Sequence, residues 1–312
     1  MDTSQQLIGT EEEFEPFLEV TPALVQKRRG QGRIIFDRFM RNRAAIIGSI
    51  VLLVIFIFCF LGPVFWRIDP DAINIDKVAS EFSAPSLAHP FGTDWVGRDE
   101  FARAIAGGRI SLLVGLASML GAIVLGVGIG SFAGYYGGIV DNLLMRVTDI
   151  FLAVPLYLLL FVLSASVGDG SPRIVIILIA ALTWTSAARL ARGEFLALKE
   201  REYVLAARTI GAGNLRLMFR HILPNAVGPI TVNATLLVGT NIILESIMSF
   251  FGFGIRAPTA SWGNMVADGQ GYFDKAPWLV FAPAILIFVT VLSFNLVGDG
   301  LRDALDPNMT ER

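Results

Sequence analysis

The sequence predicts an all-α, polytopic membrane protein of about six transmembrane helices. Three observations carry this. Of the 312 residues, 54% are apolar and 23 are Phe, above the roughly 45–50% apolar share of soluble domains. The apolar residues fall into blocks long enough to cross a hydrocarbon core, which takes about 20 residues of helix. Between the blocks, basic residues crowd the connections on one side and thin out on the other.

Residues 1–26 are polar and acidic, with Glu11, Glu12, Glu13, Glu15 and Glu19 and no apolar periodicity, so a solvated tail is expected. From 27 to 43 the chain turns basic (Lys27, Arg28, Arg29, Arg33, Arg38, Arg41, Arg43). The segment 1–43 is thus expected to form a cytoplasmic tail. The apolar run 44–66 is too long for a secretory-signal core and lacks a small-residue cleavage pattern, so it reads as a retained first span. Residues 67–111 are mixed, broken by Pro70, Pro85 and Pro90, and predict an external segment with an interfacial helix carrying Arg103 and Arg109. Five further spans are expected at 112–133, 147–167, 174–193, 226–250 and 278–298. They form a core over 112–300, with a polar loop at 194–224 and a short tail at 301–312.

With both termini in the cytoplasm (N-in, C-in), the cytoplasmic pieces hold 17 of the 25 Lys and Arg; the reverse orientation would carry both densest basic clusters across the membrane. In the second span Ser118, Ala122, Gly126, Gly130 and Gly134 recur every four residues. Small residues at this spacing let helix backbones approach in lipid. A pore-lining stripe is the other reading.

The densest information lies in YVLAARTIGAGNLRLMFRHILPN, Tyr203 to Asn225. Helix formers run from Glu202 to Ile210, and Gly211-Ala212-Gly213 interrupts them. Asn214 suits the cap of a second helix, expected to end before Pro224. The result is a helix–turn–helix on the cytoplasmic face, with Arg208, Arg216 and Arg220 projecting.

Ala206-Ala207, Gly211 and Leu223-Pro224 resemble the "EAA…G…LP" loop of permease subunits of binding-protein-dependent ABC importers. Leu205 stands where that motif has Glu, and His221 where it has Ile. The surrounding form is similar to the dipeptide/oligopeptide branch, with Glu202 as the upstream acidic contact. HPFGTDWVGRDEFARAIAGGRISLLVG (His89 to Gly115), GYYGGIVDNLLMRVTDIFLAVP (Gly134 to Pro155) and FNLVGDGLRDALDP (Phe294 to Pro307) resemble the same branch in the same order, and within it the C-type permease. The resemblance implies a type I ABC importer permease fold in the bacterial cytoplasmic membrane. It implies import of di- or oligopeptides, or of nickel, glutathione or another small solute. It also implies a paralogous permease, two ATPase subunits and an extracytoplasmic binding protein as partners. Glu202, Ala206, Ala207, Arg208, Gly211, Arg216, Leu223 and Pro224 then form the loop seated on the ATPase.

No G-x-x-x-x-G-K-[ST] phosphate loop occurs, and neither Lys27, Lys77, Lys199 nor Lys275 follows a glycine, so ATP and Mg are expected on partner subunits. His89, His221 and Cys59 are too scattered for a catalytic triad or a metal site; no catalytic residue, cofactor, metal or nucleic-acid partner is expected. A secondary carrier would show internal repeats with broken helices, and no matching halves occur. An intramembrane hydrolase would need a nucleophile and base at membrane depth. Glu245, inside the fifth span, either lines the translocation path or makes a structural bond. Asp149, near the start of the third span, is the second charge to be placed there. Trp262, in the outer loop 251–277, reads either as an interfacial anchor or as a contact for the binding protein.

Overall fold

The computed structural model describes residues 31–72 and 81–306. The acidic tail therefore lies outside the described residues. Among those described, the regular elements are helices: α1 (Gln31–Phe39), α2 (Arg43–Phe65), α3 (Glu100–Tyr136), α4 (Gly138–Ala153), α5 (Leu156–Val167), α6 (Pro172–Leu198), α7 (Glu202–Thr209), α8 (Asn214–Phe250), α9 (Trp262–Gln270) and α10 (Trp278–Leu305). Five helices are long and apolar enough to cross a membrane, and α4 with α5, bent by 85°, make a sixth span if counted together. The bend falls at Pro155, which has no N–H to continue the ladder and disfavours a helical residue before it. The expected continuous third span is therefore a broken one.

A second correction concerns the external segment. Arg103 and Arg109 do not sit on a separate interfacial helix; Glu100–Tyr136 is one unbroken helix, about 55 Å long at 1.5 Å per residue. Asp99 caps it by accepting from Ala102 N at 2.6 Å, and the other Asp99 oxygen lies 2.6 Å from His89 Nδ1. Arg109 leans back from α3 to the end of α2, donating to Cys59 O at 2.7 Å.

The centre of the bundle is the α3–α6 crossing, and the small-residue stripe makes it. A Cβ on Gly126 would meet Trp184 O and Ala187, one on Gly130 would overlap Ala188 O, and one on Gly134 would meet Arg192 O and Phe195. The close-packing reading of the stripe is the one observed. Asp141 of α4 braces the same crossing through a two-pronged pair with Arg192 of α6, at 2.5 and 2.6 Å; such pairs fix orientation as well as distance.

The loop 251–277 departs most from expectation. Trp262 is 0% exposed. Its indole N–H donates to Ala104 O at 2.9 Å, and its ring rests over Gly108 beside Cys59. It is a core residue joining α9 to α3, neither an interfacial anchor nor available to a docked protein. Ser261 and Asn264 cap α9 reciprocally, so the loop folds back into the end of the bundle where α8 finishes and α10 begins.

The polar contacts sort the helix ends into two groups. At one end Arg38 donates to Asp306 O (2.9 Å), Asn42 to Asp303 (3.1 Å), Lys199 to Gly134 O (3.1 Å) and the Tyr135 hydroxyl to Asn214 (2.8 Å). At the other, Arg109 meets Cys59, Trp262 meets Ala104, and Arg256 donates to Gly168 O at 2.9 Å. The start of α1 and the end of α10 thus share one end of the bundle with α7.

A projecting helix and its hinge as the candidate functional site

The site begins where α6 leaves the bundle. Leu198 closes α6, and Glu200 and Arg201 turn the chain into α7. Of its eight residues only Val204 and Ala207 are buried. They pack in a cluster with Phe195, Leu217, Met218 and Ile222, which is what fixes so short a helix against the end of the bundle. The i, i+3 spacing of those two residues leaves the remaining faces open.

Gly211 ends α7. Its φ is +88°, the left-handed region that a residue with a Cβ adopts at a cost. The Gly211 N–H bonds to Arg208 O and the Ala212 N–H to Ala207 O, both at 3.0 Å. These two bonds are the paired 5→2 and 6→1 closure of a Schellman motif, and Ala212 joins the cluster that holds Ala207. The expected break at Gly211-Ala212-Gly213 is observed, with its cause.

The second helix differs from expectation in two ways. Asn214 makes no cap: Gly213 is the N-cap without a side-chain bond, and Asn214 Oδ1 accepts from Tyr135 instead. Nor does the helix end before Pro224; it runs through into the fifth span. A π-turn over Leu217–Ile222 makes this possible. The Leu223 N–H bonds back to Met218 O, one residue further than in an α-helix. The widened turn relieves the clash that the Pro224 ring would make with the carbonyl four residues back.

The expected site residues separate by direction. Glu202, Ala206, Arg208, Gly211, Arg216 and Pro224 are exposed, Ala207 is buried, and Leu223 is half-buried against the cluster. Alongside the exposed group lie Tyr203, Leu205, Ile210, Leu215 and Phe219, between 41% and 88% exposed. None of the five belongs to the residues that the loop motif marks. Five large apolar side chains within a basic loop were the available signal, since a knob resting in water would not carry them.

Glu245 lies at the other end. It is 0% exposed, and its two oxygens accept from Ser249 Oγ at 2.7 Å and Ser111 Oγ at 2.8 Å. The same serine oxygens accept from Ile255 N and Trp262 N, at 3.0 and 3.3 Å. The carboxylate is the common end of two hydrogen-bond chains that start on the backbone N–H groups of Ile255 and Trp262. Asp149 pairs with Arg189 of α6 at 2.8 Å.

The family model for the binding-protein-dependent transport system inner membrane component matches residues 126–311, and that for the N-terminal TM domain of oligopeptide transport permease C matches residues 30–88. The oligopeptide transport system permease protein OppC of Bacillus subtilis is 43% identical over 278 residues, covering 87% of this chain and 88% of its own. The dipeptide transport system permease protein DppC of the same organism is 39% identical over 273 residues, with coverages of 87% and 84%. OppC of Haemophilus influenzae is 36% identical over 297 residues, with coverages of 93% and 94%. Among solved structures, a chain of the MetNI methionine ABC transporter superposes with a TM-score of 0.50 at 18% identity, covering 65% of this chain and 97% of that one. That likeness bears on the fold alone, and it is the permease fold expected of a type I ABC importer. The chain belongs to the family of inner membrane components of binding-protein-dependent transport systems, in its OppC/DppC branch.

Proposed function

We propose that this chain is the C-type permease subunit of an ATP-driven importer of di- or oligopeptides. A paralogous permease completes the channel, two ATPase subunits drive it, and an extracytoplasmic binding protein delivers the cargo. The observation that carries this reading is the pairing of a knob with its relatives. An eight-residue helix stands at one end of the bundle, and across it, its closing turn and the start of α8 the side chains of Tyr203, Leu205, Ile210, Leu215 and Phe219 are uncovered. The relatives that match most of the chain are oligopeptide and dipeptide permeases.

On this reading the α7 end faces the cytoplasm, both termini lie there, and residues 202–224 seat on an ATPase subunit. Ala206 permits close approach, Glu202, Arg208 and Arg216 supply charge contacts, and Leu223-Pro224 pass the motion along α8 into its membrane-spanning part. Coupling requires an element whose position both sites bias, and α7 with the π-turn of α8 is the stiff connection between ATPase and span. Glu245 ties the outer loop down and does not touch cargo.

Proteoliposomes holding both permeases and both ATPases, supplied with the binding protein and ATP, should accumulate a labelled tripeptide. This chain by itself should hydrolyse no ATP. Uptake of nickel or glutathione in place of the peptide would redirect the substrate assignment; nucleotide turnover by the chain alone would overturn the subunit assignment.

A further inference from the structure

The chain that carries α7 is tied down on both sides of it, and both ties reach the same turn of α3. Before α7, Lys199 caps α6, and its ammonium donates to Gly134 O at 3.1 Å. After Gly211, Asn214 opens α8, and its Oδ1 accepts from the Tyr135 hydroxyl at 2.8 Å. Gly134 and Tyr135 are neighbours in the last turn of the 37-residue α3. The α7 loop thus spans the interval between two anchors that lie side by side on one helix end.

Elementary chemistry accounts for each tie. The last four carbonyls of a helix have no partner within it, and a cation is favoured at that negative end; Lys199 meets both conditions at Gly134. Tyr135 is 8% exposed, and a buried phenol needs a partner for its hydroxyl. Its ring shares the cluster of Val204, Ala207, Leu217 and Met218 that seats α7, so one side chain both packs at the base of α7 and holds the start of α8. Tyr136, the next residue, is 47% exposed, and its hydroxyl makes no hydrogen bond among the described residues.

What α3 does with a displacement depends on its stiffness. α2, α8 and α10 each carry an internal proline, Pro63, Pro229 and Pro283, where a ladder bond is missing. α3 has none along its length, and it lies close against the α6 backbone at Gly126, Gly130 and Gly134. At its far end Ala104 O receives the Trp262 indole, and Arg103 pairs with Asp268 of α9 at 3.4 Å. One straight helix is therefore bonded to the α7 loop at one end and to α9 at the other.

Resting on the importer reading above, we propose that Tyr135 and Lys199 are positioning residues which make α3 a second receiver of the α7 displacement, beside α8. Movement of α7 on the ATPase shifts both anchors together, and α3 delivers it to α9 and the loop 251–277. Coupling of binding sites is reciprocal, so an event at that opposite end biases α7 in return. The joint carries the stimulation of ATP turnover by a binding protein docked there.

Tyr135→Phe removes the hydroxyl and keeps the ring, and Tyr136→Phe is the matched control. In the reconstituted complex of both permeases and both ATPases, Tyr135→Phe should keep the wild-type ATPase stoichiometry and KM for ATP. Its kcat with binding protein present should fall about fivefold, the scale of one lost hydrogen bond, while Tyr136→Phe stays at the wild-type value. Asn214→Ala and Lys199→Met should fall likewise, and Asn214→Asp, whose carboxylate still accepts the hydroxyl, should hold the rate. Tyr135→Phe combined with Asn214→Ala should lose about fivefold and not about twenty-five-fold, because the pair acts as one unit. Wild-type kcat in Tyr135→Phe or in Lys199→Met, even with a lowered unfolding temperature, would overturn the joint, as would multiplying losses in the double variant. Loss of the ATPases from Tyr135→Phe would overturn it too, by making the residue part of the docking surface. Absence of binding-protein stimulation in the wild-type complex sinks the importer reading; stimulation that Tyr135→Phe leaves intact sinks only the joint.

Discussion

Ser111 on α3 and Glu245 on α8 are joined by a 2.8 Å hydrogen bond at a point no solvent reaches. The bond matters for what lies behind each partner. Ser111 also receives the Trp262 backbone N–H, and Ser249, the other donor to Glu245, receives the Ile255 N–H. One carboxylate therefore holds the loop between α8 and α9 at two places.

Removing that carboxylate should loosen the loop more than the spans. In Glu245→Leu, two buried hydroxyls lose their acceptor, at about 1–3 kcal/mol for each unsatisfied group. Glu245→Gln keeps one acceptor oxygen and should fall between. The expected result is a lowered unfolding temperature in detergent for Leu, a smaller drop for Gln, and faster protease cleavage between Phe251 and Ser261 in both. A Leu variant as stable as the wild type would show that the two chains contribute nothing.

Trp262→Ala should act through packing. A fully buried tryptophan truncated to alanine costs about 3–5 kcal/mol, and here the Ala104 carbonyl also loses its donor. The variant should accumulate poorly or unfold early in fluorescence-detected size exclusion. Normal stability combined with a specific loss of binding-protein stimulation would return this residue to the surface role expected from sequence.

The α3–α6 crossing supplies its own control. Gly130→Leu would place side-chain atoms where the Ala188 carbonyl lies, whereas a Cβ on Gly128, two residues away, meets nothing within 4 Å. Overpacking of a close helix contact costs about 1–3 kcal/mol or more. Gly130→Leu should therefore abolish a monodisperse peak that Gly128→Ala retains. Equal behaviour of the two would mean that the stripe does not set the helix spacing.

Orientation is testable independently. Leu87 is fully exposed at the end of the bundle opposite α7. Reporter fusions after Leu87 and Gly271 should read external, and fusions after Arg201 and at Arg312 cytoplasmic. A cytoplasmic signal at Leu87 would invert the bundle.

What the sequence disclosed follows from how local each cause is. The limits of α2, the contact role of Ser118 to Gly134 and the turn at Gly211 depend on residues within a few positions of one another, so spacing and residue type suffice. The 85° bend was also locally signalled, by Pro155 inside the apolar run. Length alone favoured a continuous span, and the proline prevailed because its missing N–H cannot be supplied from within the helix. Trp262 and Glu245 were different. Their partners, Ala104 and Ser111, lie 158 and 134 residues away, and nothing in an outer loop rich in Gly and Trp distinguishes an interfacial tryptophan from one folded into the core. Passage of the helix through Pro224 was hidden for a subtler reason, since a π-turn has no residue signature of its own.

Gly211 is the most informative position for the proposed coupling. The space beside it is open: a Cβ there meets nothing within 4 Å. A substitution therefore fails or succeeds on backbone conformation alone. At φ +88° a β-branched side chain is strained by about 1–3 kcal/mol. The chain relieves that strain by giving up the closure bonds from Gly211 to Arg208 and from Ala212 to Ala207. Loss of those bonds frees the C-terminal turn of α7 and lets the helix tilt away from Leu217 and Met218. The spans are untouched, because the cluster beneath α7 is anchored separately by Phe195 and Ile222. Gly211→Val should thus insert, accumulate and hold the second permease, yet co-purify with less than a tenth of the wild-type ATPase or fail to stimulate it. Gly211→Asn, whose side chain tolerates the left-handed region better, should recover most of the loss. Ala206→Glu should fail for a separate reason, since it leaves the turn intact but puts bulk and charge on the exposed face. If Gly211→Val takes up peptide normally with a full complement of ATPases, residues 202–224 are not the coupling element, whatever their resemblance to one.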